Sequence, residues 1–329
     1  MLCDLKPTGR IGEGQLAAHA SIDKVRGRLA VGAPAGIRLG PPRAVGGLTL
    51  VPIFHDGLPV EYELFAEAQQ AGTAEVTEVG PEGAVPVLKA RSTSPVPVLL
   101  VEGEILTGLK QNRVLNTTIL VPPRTTLEVP VACVEAGRWH RASGKAKRAD
   151  YSLSAKLRAF KKPSEVQRAR STGDFMADQE MVWQGVAQTL GSHGVSSPTF
   201  AYSEIEKARG NEIEDLLHSL EPLPGQAGVL AYLGGEPLSL DVFDRASTLT
   251  HLWHELAGSY VVDALISVQR EGSICLDEAA VWIGSLVEGE TSCHPAVGLG
   301  ETVLITSPRH CVSALVEDGV PVHIAAYPR

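Results

Sequence analysis

The 329-residue sequence lacks the marks of several common protein classes. No apolar run reaches the roughly 18 residues that a membrane-spanning helix requires. The N-terminal stretch MLCDLKPTGRIGEG has no apolar core of the kind found in signal peptides. The five cysteines are odd in number and scattered, which argues against a disulfide framework. We therefore expect a cytoplasmic protein with reduced thiols and no membrane association.

Motifs for common cofactors are also missing. Neither a G-x-x-x-x-G-K-[ST] loop nor a G-x-G-x-x-G turn occurs, so ATP or NAD binding through those devices is not expected. The pairs at 293–294 and 310–311 lack C-x-x-C spacing. His251, His254 and Glu255 share a predicted helix but lack the order of known zinc motifs, so surface polar roles are favoured. No metal site is predicted, and the cofactor is left unknown.

Charge is unevenly distributed along the chain. The net charge is −9, yet segment 141–170 holds ten basic and two acidic residues, so the rest of the chain sums to −17. A basic segment on an acidic body could bind an anionic ligand, an acidic partner or nucleic acid. The favoured interpretation is a mobile, solvated loop held near the acidic body.

Runs rich in β-branched residues predict many strands. They cover 48–54, 74–79, 85–89, 96–106, 114–121, 126–134, 229–233, 237–240, 302–306, 311–316 and 320–326. Gly234 and Gly235 between two of these runs indicate a hairpin. Short connections favour antiparallel pairing.

Helical spacing of apolar residues predicts helices at 61–71, 175–190, 203–220, 249–264 and 277–287. Ser203 and Glu206 fit a capping box at the start of the third. The expected fold is α+β, a predominantly antiparallel β region with several packed helices. We expect an irregular lead-in over 1–43 and one domain over 44–329, with a subdivision near 221–227 as the alternative.

Two polar clusters interrupt the apolar runs between 98 and 139. The first contains Glu104 and the run 110–113, which reads KQNR. The second contains Cys133, Glu135, Arg138 and Trp139, and Asp178 follows at a predicted helix start. So many polar side chains at strand ends indicate either a site or a set of structural ion pairs.

Each candidate has a chemical and a structural interpretation. If their strands are neighbours, Glu104 and Glu135 could share acid and base roles or hold a divalent cation, or each could pair with an arginine. Lys110, Gln111, Asn112 and Arg113 could bind phosphate or carboxylate, with a structural turn as the alternative. Cys133 is expected in the core.

Each of the remaining candidates also has two interpretations. Arg138 could bind an anion or pair with Glu135. Trp139 could stack on a base or sugar ring, although tryptophan more often fills a core. Asp178 could bind ligand or favour the helix dipole.

From about residue 44 onward the chain resembles the bacterial ARG and rhodanese-phosphatase-superfamily-associated protein domain family, where ARG stands for ADP-ribosylglycohydrolase. The motifs that carry the resemblance are VTEVG at 76–80, VEGEILTGLKQNRVLNTTILVPP at 101–123, VPVACVEAGRW at 129–139, DQEMVW at 178–183, LDVFD at 240–244 and VGLG at 297–300. After GRW the family is usually aromatic and less basic than this chain.

The resemblance implies a setting near enzymes that handle ADP-ribose, NAD-derived metabolites and phosphoesters, and hence a ligand class without a mechanism. We expect a protein that binds a nucleotide-derived or ADP-ribose-like anionic ligand; whether it is an enzyme stays open. Catalytic roles would fall to Glu104 and Glu135. The alternative is a non-catalytic assembly or regulatory module whose segment 141–170 docks an acidic partner or nucleic acid. The oligomeric state is not predicted.

Overall fold

The computed structural model describes residues 13–80, 82–138, 144–267 and 274–329, with side chains described from residue 17 onward. It is 31% helical and 33% strand, and the expected α+β class is confirmed. The helices within these ranges are α1 Glu13–Arg28, α2 Phe65–Gln70, α3 Ala155–Thr172, α4 Gln179–Ser192, α5 Ser203–Leu217, α6 Ala246–Ala264 and α7 Leu276–Ser285.

The strands of the first half are short and closely spaced. They are β1 Arg38–Leu39, β2 Arg43–Val45, β3 Leu48–Phe54, β4 Glu63–Leu64, β5 Ala74–Glu78, β6 Val87–Ser92, β7 Val98–Leu100, β8 Glu104–Thr107, β9 Arg113–Leu115, β10 Ile119–Val121, β11 Thr126–Cys133 and β12 Lys147–Ser152. Those of the second half are β13 Gly228–Leu233, β14 Glu236–Phe243, β15 Glu290–Pro295, β16 Glu301–Thr306, β17 His310–Glu317 and β18 Val320–Pro328.

The largest sheet of the described residues has nine strands. Its order is β1-β3-β13-β14-β18-β17-β16-β15, and β2 pairs with β3. All pairs are antiparallel. Gly234 and Gly235 form the β13–β14 turn with φ of 60° and 89°, values typical of a two-residue hairpin turn, which confirms the hairpin predicted from them.

A second β region is built from β4 to β12. Six strands follow the order β12-β8-β9-β11-β6-β5, and a three-stranded sheet has the order β10-β7-β4. The Ala146 N–H, just before β12, donates to the carbonyl of Val76 in β5 at 2.8 Å. This hydrogen bond brings the two outer strands of the six-stranded sheet together around an apolar interior that includes Leu88, Leu106 and Val129.

Helices cover both faces of the nine-stranded sheet. On one face α1 and α7 bury Ile22, Val25 and Ile283 against it. On the other face α6 buries Leu249 and Tyr260, and this core continues into α3, α4 and α5. The β12 strand packs beside α6 and so places the second β region next to the α5–α6 pair.

Two local predictions differ from the structure. The lead-in, expected to be irregular, contains α1, whose apolar residues have the nine-stranded sheet to pack against. The capping box at Ser203 is also wrong. Tyr202 is the N-cap residue of α5, with no side-chain cap hydrogen bond, because the helix begins one residue earlier than a serine cap requires. The division into domains stays a prediction.

The interpretation of 141–170 as a solvated loop is wrong for its described part. Residues 147–152 form β12, and 155–172 form α3. Arg158, Lys161 and Lys162 are buried in ion pairs, of which those of Arg158 and Lys162 link α3 to the β regions and that of Lys161 lies within α3. Lys162 Nζ lies 2.6 Å from Glu102 and 2.7 Å from Glu165, and Arg158 pairs with Asp241 at 3.1 Å.

Candidate functional site

Glu104 is nearly fully buried at the start of β8. Its Oε2 accepts the Val101 N–H at 2.9 Å, and its Oε1 accepts Arg148 Nε at 2.6 Å. The same guanidinium donates from Nη1 to Glu255 Oε1 at 2.7 Å. Glu104 therefore belongs to a buried three-residue bridge that reaches from β8 through β12 to α6.

Glu135 belongs to a different network. Arg138 holds it in a two-pronged hydrogen bond, Nε to Oε1 at 2.9 Å and Nη2 to Oε2 at 2.7 Å. The Asn112 N–H and the Thr199 hydroxyl also donate to it. Burial alone would raise the pKa of Glu135, but these hydrogen bonds outweigh it and the pKa is lowered. The carboxylate is thus held ionised by its own neighbours.

Gln111, Arg113 and Cys133 pack together beneath this pair. Gln111 Oε1 accepts from Arg113 Nη1 at 3.1 Å and from Cys133 Sγ at 2.9 Å. Burial lowers the pKa of Arg113, and it raises the pKa of Cys133 to about 12, so the sulfur is an inert thiol at neutral pH. Cys133 is in the core, as expected.

The other predicted residues have structural contacts as well. Lys110 is buried; its N–H donates to Glu78 at 2.9 Å, and its ammonium donates to the Glu82 carbonyl. Asn112 Oδ1 accepts from Arg138 at 3.3 Å. Asp178 is the N-cap of α4 and accepts the Met181 N–H at 3.2 Å. Trp139 lies outside the described residues.

The predicted residues therefore divide between networks. Asn112, Glu135 and Arg138 come together, whereas Glu104 makes its contacts with Arg148 and β8. The alternative interpretation of the two glutamates as ion-paired residues fits these contacts, although the partner of Glu104 is an arginine that the sequence did not single out. Their catalytic and ligand-binding roles stay predictions.

The chemistry-bearing side chains meet instead at a cleft between α5, α6 and β12, which we call the α5–α6 cleft. Its volume is about 310 Å³. The lining is contributed by β12 (Asp150, Tyr151), α5 (Ser203, Glu206, Lys207, Gly210, Ile213, Glu214, Leu217) and α6 (His254, Glu255, Gly258).

Helical spacing and two glycines shape this cleft. Glu206, Gly210, Ile213 and Leu217 follow at intervals of four, three and four, so they share one face of α5. A Cβ at Gly210 would meet no atom within 4 Å, so the cleft opens above this glycine. At Gly258 of α6, a Cβ would lie 3.8 Å from Ile213 and Leu217.

Glu206 is the most perturbed carboxyl group of the lining. Burial, reinforced by the charge of Asp150, raises its pKa to about 7. A carboxyl group that titrates near neutrality can both donate and accept a proton under physiological conditions.

His254 carries a positive charge more readily than an ordinary histidine. Its Nε2 lies 2.8 Å from Glu214 Oε1, and its ring also bonds the carbonyl of Asp150. Burial opposes the charge, but these acceptors and the nearby Glu255 raise the pKa. The ring nitrogens face acceptors, which favours the imidazolium form.

The sequence pattern alone places none of these residues in a site. It favours surface polar roles for His254 and Glu255 and predicts a capping box at Glu206. The sequence pattern that could have indicated the cleft is the run of Glu206, Gly210 and Glu214 at intervals of four. It places two acids and a glycine on one helix face. Only the packing of α5 on α6 brings this face opposite His254.

Asp178 borders two further cavities, of about 630 and 400 Å³, beside α3. Their lining includes Ser164, Gln167 and Ser171 of α3. In the described ranges no cluster of three or more histidine, cysteine or acidic residues has the geometry to hold a metal ion. No helix of the described chain is long and apolar enough to cross a membrane.

Comparison with known proteins gave one match. The model of a family described as the ARG and Rhodanese-Phosphatase-superfamily-associated Protein domain matches residues 36–327. No curated protein and no solved structure matches the chain. The matched range includes the two polar clusters and the α5–α6 cleft.

Proposed function

The chain belongs to the ARG and rhodanese-phosphatase-superfamily-associated protein domain family, and on that premise we propose that it binds a small, hydrogen-bond-donor-rich ligand in the α5–α6 cleft and exchanges a proton with it. Glu206 is the proposed proton donor and acceptor. The observation that carries the proposal is the position of this carboxyl group, with its pKa near 7, in the wall of an open cleft.

The ligand class follows from the lining. Asp150, Glu206, Glu214 and Glu255 supply carboxyl groups, which accept hydrogen bonds when ionised and so favour hydroxyl, ammonium or guanidinium groups. A volume of about 310 Å³ is at the lower end of the range for small-molecule sites and suits a ligand of sugar size.

An ADP-ribose-like ligand fits this proposal only in part. Its ribose hydroxyls suit the carboxylates, but its phosphates would be repelled by them and would have to lie at the rim beside Lys207. That ammonium already pairs with Glu204 at 2.7 Å. We therefore retain ribose-containing compounds as candidates and give them no preference over cationic ones. The cytoplasmic setting is part of the same proposal.

The first test is a ligand panel. Melting curves would be recorded at pH 7 with ribose, ADP-ribose, agmatine and inorganic phosphate. We expect ribose or agmatine to raise the Tm of the wild-type protein, since a ligand that binds only the folded state stabilises it. Phosphate should leave the Tm unchanged.

Two variants on the same helix provide the comparison. Glu206→Gln should weaken the response because it removes the titrating group from the cleft, whereas Glu212→Gln should not. Glu212 lies on α5, pairs with Arg209 at 2.5 Å and is not among the lining residues. A response to phosphate alone, or one of equal size in the two variants, would contradict the proposal.

A further inference from the structure

The buried Glu104–Arg148 pair, we infer, positions Glu255 and so sets the proton affinity of His254 in the α5–α6 cleft from a distance. The inference rests on the proposed role of the cleft in proton transfer. It gives Glu104, a residue of the family motif, a positioning role and assigns it no contact with ligand.

The geometry of the bridge supports this inference. Arg148 lies between two carboxylates, 2.6 Å from Glu104 and 2.7 Å from Glu255. The three side chains are only 10%, 6% and 12% exposed, so water does little to screen their charges. Glu104 is itself fixed by the Val101 N–H. Only Glu255, at the far end of the bridge, belongs to the cleft wall.

The cleft end of the bridge lies among other charges. The ionisable groups that face it are Asp150 and Tyr151 from β12, Glu206, Lys207 and Glu214 from α5, and His254 from α6. The charge of Glu255 contributes to the raised pKa of His254. The bridge therefore acts electrostatically on His254.

The sign of the effect follows from the charge count of the bridge. One guanidinium between two carboxylates leaves a net charge of −1, which favours protonation of neighbouring groups. If Glu104 becomes neutral, Arg148 and Glu255 cancel, and the cleft loses that negative charge. The His254 imidazolium should then be less favoured, so the pKa of His254 should fall.

The experiment follows the Glu206 carboxyl carbon and the His254 ring by NMR during a pH titration of the whole protein. In Glu104→Gln, which keeps the shape and removes the charge, the His254 midpoint should fall by roughly 0.5–1 pH unit. Glu104→Asp keeps the charge and changes the packing, so its His254 midpoint should stay near that of the wild type.

A matched control tests whether the effect passes through the Glu104–Arg148 bridge. Glu78 is another buried glutamate that accepts a backbone N–H, in its case from Lys110, and it has no place in the cleft. Glu78→Gln should leave the His254 midpoint unchanged. Should Glu104→Gln fail to fold, Arg148→Gln provides a second test of opposite sign, because loss of the guanidinium should raise the His254 midpoint.

The outcomes separate this inference from the proposal it rests on. A wild-type Glu206 midpoint far below 7 would overturn the proposed function. A Glu206 midpoint near 7 together with a His254 midpoint that does not move in Glu104→Gln, or that moves equally in Glu104→Asp or Glu78→Gln, would overturn the positioning role alone.

Discussion

Single buried charges in this protein are held by several partners at once. Asp241 accepts hydrogen bonds from Arg158, Ser239 and Tyr260, and His323 lies 3.3 Å away. Burial alone would raise the pKa of Asp241, but the charge of Arg158 and these contacts hold it well below its usual range. The ionised form is therefore the one that the fold requires.

Neutralising this carboxylate should be costly. Asp241→Asn leaves Arg158 as a buried charge without its counter-ion, and we expect a loss of about 3–5 kcal/mol in the free energy of unfolding. Urea denaturation at pH 7 measures it. The matched variant is Asp56→Asn, whose pair with Arg38 at 2.6 Å is exposed and should contribute far less to stability. Equal losses in the two variants would contradict this account of the core.

Residue roles were only partly predictable from the sequence. Cys133 was expected in the core because free cysteine is usually buried, and it is. The pairing of Glu135 with Arg138 was available as an alternative because the two are three residues apart. The bridge from Glu104 to Glu255 could not be predicted, because it joins residues 151 positions apart through a third element.

At the scale of elements, the local pattern was sufficient where an element is largely apolar and buried. The predicted strand at 48–54 is β3 itself, and the predicted helix at 249–264 lies within α6. The β12 strand and α3 were missed because their basic residues gave the composition of a solvated loop. The counter-ions that allow Lys162 and Arg158 to be buried are distant in sequence: Glu102 lies between β7 and β8, and Asp241 lies in β14.

Gly210 gives an element-scale prediction. In mid-helix, alanine at this position should raise the free energy of unfolding by about 0.5–1 kcal/mol and fit without a clash, since a Cβ meets no atom within 4 Å. Gly210→Leu should fold as well but project its side chain into the α5–α6 cleft. We therefore expect Gly210→Leu to abolish the Tm response to ribose or agmatine.

Gly210→Ala serves as the control, because it gains the same helix propensity while adding one methyl group. Retention of the full ligand response in Gly210→Leu would place the ligand elsewhere in the molecule. Loss of the response in both variants to the same degree would point to a change in α5 packing instead.

For the whole molecule, the α+β class and the antiparallel β region were predictable because short connections join β-branched runs. The packing of α5 and α6 beside β12, which makes the cleft, was not. The alternative of an assembly module that docks through 141–170 stays a prediction. Within the described part of this segment, Lys147 and Lys156 are exposed and could meet a partner, whereas Arg158, Lys161 and Lys162 are buried.

The cleft also links folding to pH. The folded pKa of Glu206, about 7, exceeds its ordinary value of 4.5, so the folded state holds this proton more tightly than the unfolded state does. The contribution of Glu206 to stability is therefore fully present below pH 4.5 and is lost as the pH rises through 7.

The most direct test of the central claim is the NMR titration of the Glu206 carboxyl carbon in the wild-type protein, assigned by its absence in Glu206→Gln. The account predicts a midpoint near 7, because burial and the charge of Asp150 both favour the protonated form. A midpoint near the ordinary value of 4.5 would mean that Glu206 is a solvated carboxylate, and the proton-transfer role of the α5–α6 cleft would be contradicted.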